Sequence, residues 1–248
     1  MSTNSGPPYK KPPIIEAVIA VHFASSLEEK EIDAFERKTK KDFPVVEELV
    51  SVGTSYNAVT KQQISGVQKI GYKFLDPNRA LVVMIQSNQI GVIQQSPYTG
   101  WEALYEEARK QWEALIKIIK LKNASRVSTR YINRIDIPVG VENNVDLRKY
   151  FNIGLSLPPA VQDMALQGFH INCSLQNQTD EYISIINLAA TPSPLIDHLS
   201  FTIDIDVMTT GSVPPNREKM WDLIGTLRKR KNDLFEACIT PDTRELFQ

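Results

Sequence analysis

Residues 200–208 read Ser-Phe-Thr-Ile-Asp-Ile-Asp-Val-Met, and this stretch decides the fold class. Every second residue is apolar, which is the period of a β-strand that buries one face and exposes the other. The inward set is Phe201, Ile203, Ile205 and Val207, and the outward set is Thr202, Asp204, Asp206 and Met208. A strand with one solvated face is typical of an antiparallel sheet, so we expect such a sheet here.

The same reasoning extends outward along the chain. Strand periodicity predicts further strands at 14–23, 67–75, 79–86, 89–95, 125–137, 165–175 and 181–190. Helical periodicity predicts helices at 101–120 and 217–239, and Ser25 and Ser26 with acids three residues on predict a capped helix that ends near residue 41. Strands followed by a helix, twice over, indicate an α+β fold with antiparallel sheets and possibly a duplication.

Charge is distributed unevenly and predicts two units, at 1–140 and 141–248. The first segment has a net charge of +4 and the second of −5, and no Lys or Arg occurs from Tyr150 to Asn216. The stretch 109–134 holds eight basic residues and one acid, Glu113. Such asymmetry favours a contact between the two regions, either within one chain or between two copies.

Composition removes several classes of protein. Two cysteines, Cys173 and Cys238, are too few for a disulfide framework, so a reducing cytoplasm is expected. No apolar run approaches the ~20 residues of a membrane span, and residues 1–8 lack the pattern of a signal peptide. The net charge of −1 disfavours a strongly basic nucleic-acid-binding class. We therefore predict a cytoplasmic protein with no membrane partner.

Six segments together are similar to a known group of proteins. They are Pro-Pro-Ile-Ile-Glu-Ala-Val at 12–18, Gly-Tyr-Lys-Phe at 71–74, Tyr-Thr-Gly-Trp-Glu at 98–102, Arg-Tyr-Ile-Asn-Arg-Ile-Asp at 130–136, Asp-Ile-Asp-Val at 204–207 and Asn-Asp-Leu-Phe at 232–235. The chain resembles, over nearly its whole length, a sporadically distributed bacterial family that is defined by its sequence pattern. The resemblance implies a bacterial, autonomous protein, and it supplies no catalytic residue to carry over.

Motifs for catalysis or cofactor binding are missing from the sequence. No Gly-rich phosphate loop and no Gly-x-Ser-x-Gly motif occurs, and His170 and Cys173 lack the spacing of a zinc site. We expect no cofactor and no metal, and a non-enzymatic role is favoured over an enzymatic one.

Five charged residues form the candidate ligand-binding set: Glu16, Arg130, Arg134, Asp204 and Asp206. The two arginines share one face of a predicted strand and could bind a phosphate or carboxylate, while paired aspartates could hold Mg²⁺. The alternative is structural ion pairing, which we favour, with Arg134 paired to Glu16 on an adjacent strand or with the arginines paired to Asp204 and Asp206.

A basic run, Arg228, Lys229, Arg230 and Lys231, is the candidate nucleic-acid site. Four consecutive residues span just over one helical turn, so the run wraps around the helix and forms no stripe, and Lys231 falls near the apolar face. Cations near a helix C-terminus also stabilise the helix dipole, which is the plainer explanation.

Taken together, these patterns favour a binding, sensing or adaptor subunit that works as a homodimer or with a protein partner. Sporadic distribution points to an accessory role, such as a bacterial defence or toxin–antitoxin-like system. The alternatives are a protein that binds a phosphate- or carboxylate-bearing small molecule through Arg130 and Arg134, and a nucleic-acid-binding protein that uses the basic run.

Overall fold

The structure is a computed structural model that describes residues 9–57, 62–119, 124–140, 145–161, 164, 166–176, 181–211, 213 and 217–248. The strands are β1 (Ile14–His22), β2 (Val45–Asn57), β3 (Gln62–Leu75), β4 (Leu81–Gln86), β5 (Gln89–Gln95), β6 (Arg126–Pro138), β7 (His170–Leu175), β8 (Tyr182–Thr191) and β9 (His198–Thr209). The helices are α1 (Glu29–Thr39), α2 (Trp101–Ile119), α3 (Leu147–Tyr150), α4 (Arg217–Cys238) and α5 (Pro241–Glu245). The leader 1–8, residues 141–144 of the predicted connection and the turn at 214–216 lie outside the described residues.

The strands form one sheet in the order β2-β3-β4-β5-β1-β6-β9-β8-β7. All neighbouring pairs that do not involve β1 are antiparallel. β1 runs antiparallel to both of its neighbours, because the Ser96 N–H donates to Ile15 O and the Phe23 N–H to Asn88 O on one side, and the Arg134 N–H to Pro13 O on the other. The predicted α+β class is confirmed, and the duplication stays a prediction.

Two compact units make up the chain, and neither is one continuous segment. Unit 1 comprises Met1–Val18, Ser96–Tyr98 and Arg126–Gln248, and unit 2 comprises Ile19–Gln95 and Thr99–Ser125. The division therefore differs from the predicted segments 1–140 and 141–248. The reason is β6, which pairs from Ser128 to Pro138 with β9 and so belongs to the unit that holds the later strands.

The core of unit 1 lies between one face of its strands and α4. The inward strand residues alternate as predicted, with Ile203, Ile205 and Val207 fully buried. The apolar stripe of α4 packs on this face through Met220, Trp221, Ile224 and Leu227. Burying a large apolar side chain stabilises a fold by about 1.5–3 kcal/mol, so this contact sets which face of the unit 1 sheet stays open.

Unit 2 packs α1 and α2 together and α2 on β5. Aromatic side chains anchor both helices, since Phe35 meets Phe74 edge-on and Phe23 contacts Trp112. The α1 cap differs from the expected Ser25 or Ser26: the capping box is formed by Glu28 and Glu31, whose side chains accept each other's backbone N–H groups.

Strand β2 is an element that the sequence did not predict, and β3 starts five residues before its predicted start. At Gly71, where β3 meets β4, a Cβ atom would lie only 2.1 Å from Ile85 O, so this close approach of two backbones requires glycine. Among the described residues, no helix has both the length and the apolar character needed to cross a bilayer.

Candidate binding site

The open face of unit 1 carries a row of hydrogen-bonded polar side chains that crosses four strands. We call this row the polar strip and define it as Arg130 on β6, Asp204 on β9, Asn187 on β8, and Asn172 and His170 on β7. Its members share one face because Asn187 lies directly opposite both Asp204 and Asn172 in the strand registers. The outward half of the alternating pattern thus becomes a continuous network.

Asp204 is the centre of the polar strip. Its two oxygens accept hydrogen bonds from Arg130 Nε and a terminal Arg130 nitrogen, both at 2.8 Å, and Asn187 Nδ2 donates to Oδ2 at 3.3 Å. The Asp204 side chain is only 14% exposed, whereas that of Arg130 is 45% exposed. Hydrogen bonding to Asp204 raises the pKa of Arg130. The favoured prediction of structural ion pairing is confirmed for these two residues.

The strip continues from β8 to β7 through amide groups. Asn172 Nδ2 donates to Asn187 Oδ1 at 2.6 Å, and His170 Nε2 lies 3.3 Å from the same oxygen. The side chains of the polar strip are therefore oriented by one another before any ligand arrives. A preorganised surface of this kind loses less conformational entropy on binding than a flexible one.

Arg134 belongs to a separate cluster on the same face. Its Nε donates to Asp136 Oδ1 at 3.1 Å, and Ser200 Oγ donates to the same carboxylate at 2.5 Å. Glu16 was predicted to pair with Arg134. The predicted adjacency of β1 and β6 is confirmed.

The predicted ion pair between Glu16 and Arg134 is wrong. The Arg134 N–H donates to Pro13 O at 2.8 Å, so Glu16 is three residues away along β1, and Asp136 takes the guanidinium instead. Glu16 acts electrostatically on Arg130, whose pKa it helps to raise.

Asp206 is the fifth predicted site residue, and it lies directly opposite Arg130 in the β6–β9 register. Its Oδ1 is inaccessible to solvent and accepts no hydrogen bond within the described residues. Burial raises the pKa of Asp206 to about 6, and the Arg130 charge opposes that rise. Within the described part of the chain, no three His, Cys, Asp or Glu residues gather closely enough to hold a metal ion.

The basic run of α4 is divided among three environments. Lys231 is 5% exposed, and its ammonium lies 3.5 Å from the centre of the Tyr131 ring. Arg230 Nε donates to Ser184 Oγ at 3.2 Å, while Lys229 is exposed. Arg228 is half-buried, so the residues of the run differ in exposure, as expected for a run that wraps around the helix. Nucleic-acid binding through Arg228, Lys229 and Arg230 stays a prediction.

A shallow groove of about 290 Å³ in unit 2 is a second concave feature. Its polar groups already serve one another, since Lys110 pairs with Asp42 at 2.8 Å and Lys38 donates to Ala114 O at 3.5 Å. Two of its three lysines are thus already engaged by groups of the protein. The lining residues are Lys38, Thr39, Asp42, Lys110, Gln111, Glu113, Ala114 and Lys117.

Strand β7 contributes a feature that the sequence prediction missed, namely an open backbone edge. It is the last strand of the sheet, and no backbone hydrogen bond reaches its outer edge from any other described residue. Its six residues, His-Ile-Asn-Cys-Ser-Leu, include no charged side chain and no proline. The available signal was this uncharged, alternating composition, but strand order is a long-range property that composition alone does not reveal.

Comparisons with known proteins supply no family for the chain. No protein-family model matches it, and no curated protein shows a significant sequence match. The resemblance to a sporadically distributed bacterial family therefore stays a prediction, and functional inference depends on the geometry of unit 1.

Proposed function

We propose that this protein is a non-enzymatic binding or adaptor subunit that recognises an extended polypeptide strand at the β7 edge. The observation that carries the proposal is the open edge of β7, which lacks charge, proline and bulge in its described residues. An unprotected edge strand is a template for another strand, because its free N–H and C=O groups form a ladder with any extended chain.

The polar strip supports this proposal. The two arginines that a phosphate-binding protein would aim at a ligand are each paired with an aspartate, Arg130 with Asp204 and Arg134 with Asp136. His170 and Asn172 stand beside the edge and are exposed. They offer side-chain hydrogen bonds next to the main-chain ladder and would supply specificity to binding by the backbone.

The cellular setting belongs to the same proposal. Both cysteines are free thiols, which fits a reducing cytoplasm. An accessory role in a bacterial defence or toxin–antitoxin-like system would suit a protein that presents a binding edge. The neighbouring genes would test this setting, since a constant partner gene supports it and a variable neighbourhood argues against it.

Selection from a library of random dodecapeptides displayed on phage tests the binding function without knowledge of the natural partner. We expect selected peptides to bind the wild-type protein and to lose about 10- to 100-fold in affinity for the Asn172→Pro variant, which lacks one edge N–H. Asn172→Ala is the matched control, because it removes the same side chain but keeps the N–H. Selected peptides that bind all three proteins equally would contradict the proposal.

A further inference from the structure

We propose that the β7 edge takes a second copy of this chain, paired antiparallel about a two-fold axis, an inference that rests on the proposed function. The first step concerns the direction of the backbone groups. The Ala190 N–H donates to Phe169 O at 3.1 Å, and these residues are directly opposite each other when the β7–β8 register is extended by one pair. Antiparallel ladders alternate, so Ile171, Cys173 and Leu175 bond to β8. His170, Asn172 and Ser174 therefore point their N–H and C=O groups outward.

The second step is symmetry. Two copies of one edge strand pair side by side and antiparallel only about an axis perpendicular to the sheet, and this axis keeps each face on its own side. Residues directly opposite each other then lie on the same face of the sheet, so the axis must pass beside a residue that lies opposite its own copy. Near the middle of β7 this leaves two registers: Asn172 opposite Asn172, or Cys173 opposite Cys173. In the first register the three outward residues of both copies exchange about six backbone hydrogen bonds.

The third step identifies the occupant. The stretch around β7 contains acidic residues but no Lys or Arg, so charged strands from two copies would repel each other there. β7 itself has no charged side chain, so a second copy places no like charges opposite each other. In a two-fold dimer the two β7 edges bond to each other, so neither remains open to a third copy.

Side chains at the ends of β7 complement the same arrangement. In the register centred on Asn172, Leu175 faces Phe169 of the second copy, and Leu175 is 45% exposed in the single chain. On the face opposite the polar strip, Ile171 faces Cys173 of the second copy. Apolar residues thus meet apolar residues, and the two polar strips lie on one face of a sheet continued through both copies.

Sedimentation equilibrium of the full chain from about 1 to 100 μM tests the inference. We expect a monomer–dimer equilibrium in the wild-type protein and a dissociation constant raised about 10- to 100-fold in Asn172→Pro. Asn172→Ala removes the side chain but keeps the N–H, so its dissociation constant should rise clearly less than that of Asn172→Pro. Thermal unfolding of each variant establishes that it is folded. Should Asn172→Pro fail to fold, Ser174→Lys replaces it, because it leaves the backbone unchanged and places a charged side chain on each of the two paired strands, which disfavours edge pairing.

Mild oxidation supplies a second readout, since Cys238 is buried and Cys173 is the more accessible thiol. The register centred on Cys173 places the two Cys173 thiols directly opposite each other, so it predicts a disulfide-linked dimer that is lost in Cys173→Ser and reduced in Asn172→Pro. The register centred on Asn172 sets them two positions apart, beyond the usual span of a disulfide, so it predicts a dimer that oxidation does not link. A monomer at every concentration, or a dimer unaffected by Asn172→Pro and Ser174→Lys, would overturn the inference. If the chain is monomeric but selected peptides still require the Asn172 N–H, the inference that a second copy binds this edge is wrong, and the proposed binding function stands.

Discussion

The two units of the chain differ in where their charged side chains lie and in the charge of their outer strands. In unit 2, ion pairs lie on the surface, as between Lys69 and Glu29 at 2.8 Å. The outer strand of that unit, β2, is protected by the acids Glu47 and Glu48 and by a register shift between Leu49 and Val50.

In unit 1, by contrast, three ionisable groups are buried or largely covered and the outer strand is neutral. Lys231 and Asp206 are buried or nearly so, and Asp204 is largely covered by its partners. Charges and bulges are common devices that prevent edge strands from pairing. Under the proposed function, this contrast separates a β2 edge that stays single from a β7 edge that pairs.

The largest stability effect is expected at the buried cation of unit 1. Burial lowers the pKa of Lys231 to about 7, with Arg228 adding to the shift and Glu236 opposing it. Lys231→Met should raise the free energy of unfolding by about 1–4 kcal/mol at pH 6, because a buried charge without a hydrogen-bonded partner is replaced by an apolar chain of similar length. Urea unfolding at pH 6 measures the change, and a destabilised variant would show that the contact with Tyr131 outweighs the burial penalty.

The same residue predicts the pH dependence of the wild-type protein. The unfolded-state pKa of lysine is near 10.4, so between pH 7 and pH 10 the unfolded chain binds the extra proton. The contribution of Lys231 to the free energy of unfolding should therefore rise with pH across this window and be constant below it. Unfolding curves at several pH values would show this slope in the wild type and its loss in Lys231→Met.

Asp206 should give a smaller effect in a different pH window. Its folded-state pKa of about 6 exceeds the unfolded value of about 3.9, so the folded protein holds the extra proton between these values and loses stability as pH rises through them. Asp206→Asn should remove this decline and stabilise the protein by about 1–2 kcal/mol at pH 7.5. Equal pH profiles for the two proteins between pH 4 and pH 6.5 would contradict the assignment.

A matched pair of substitutions compares the ion pairs of the two units. Asp204→Ala leaves the Arg130 guanidinium and the Asn187 amide without their common acceptor, and we expect a loss of about 1–3 kcal/mol. Glu29→Ala removes an exposed partner of Lys69 and should leave the unfolding midpoint unchanged within error. Thermal unfolding measures both, and equal effects would remove the distinction between the units.

The smallest effect is expected from removing the protection of β2. Glu47→Thr combined with Glu48→Thr leaves the bulge in place, so only weak self-association should appear, visible by light scattering at the highest concentrations. The matched opposite change is Ser174→Lys in β7, which adds a charge to an edge strand and should weaken self-association. Strong association of the β2 variant would show that its acids outweigh the bulge.

Local sequence patterns predicted much of this architecture. The parts that were missed depend on contacts between residues far apart in the chain. The alternation from Phe201 to Met208 correctly separated the buried face from the open one, because side-chain direction in a strand depends only on parity. Glu16 was wrongly assigned to Arg134 because register is not written in either strand alone, whereas the actual partner, Asp136, lies two residues along the same strand and shares its face. β2 was missed because 45–57 reads Val-Val-Glu-Glu-Leu-Val-Ser-Val-Gly-Thr-Ser-Tyr-Asn, in which a bulge breaks the alternation.

The candidate site was predicted in part for the same reason. Parity placed Asp204 and Asp206 on one face of their strand and Arg130 and Arg134 on one face of theirs. The pairing of Arg130 with Asp204 was one of the predicted alternatives, and the structure shows it. The roles of His170, Asn172 and Asn187 depend on which strands are neighbours and which strand is last. Those facts arise from contacts between residues far apart in the chain. The same is true of β6, which belongs to the unit of the later strands and not to the predicted first segment.

Residue-resolved hydrogen exchange of the β7 amides tests the central claim most directly. The amides of Ile171, Cys173 and Leu175 bond to β8 and should be protected at every protein concentration. The amides of His170, Asn172 and Ser174 should exchange freely in dilute samples and become protected as the concentration rises through the dissociation constant found by sedimentation. Outward amides that exchange freely at all concentrations, while the protein is otherwise folded, would contradict the claim that this edge is the surface through which the protein pairs.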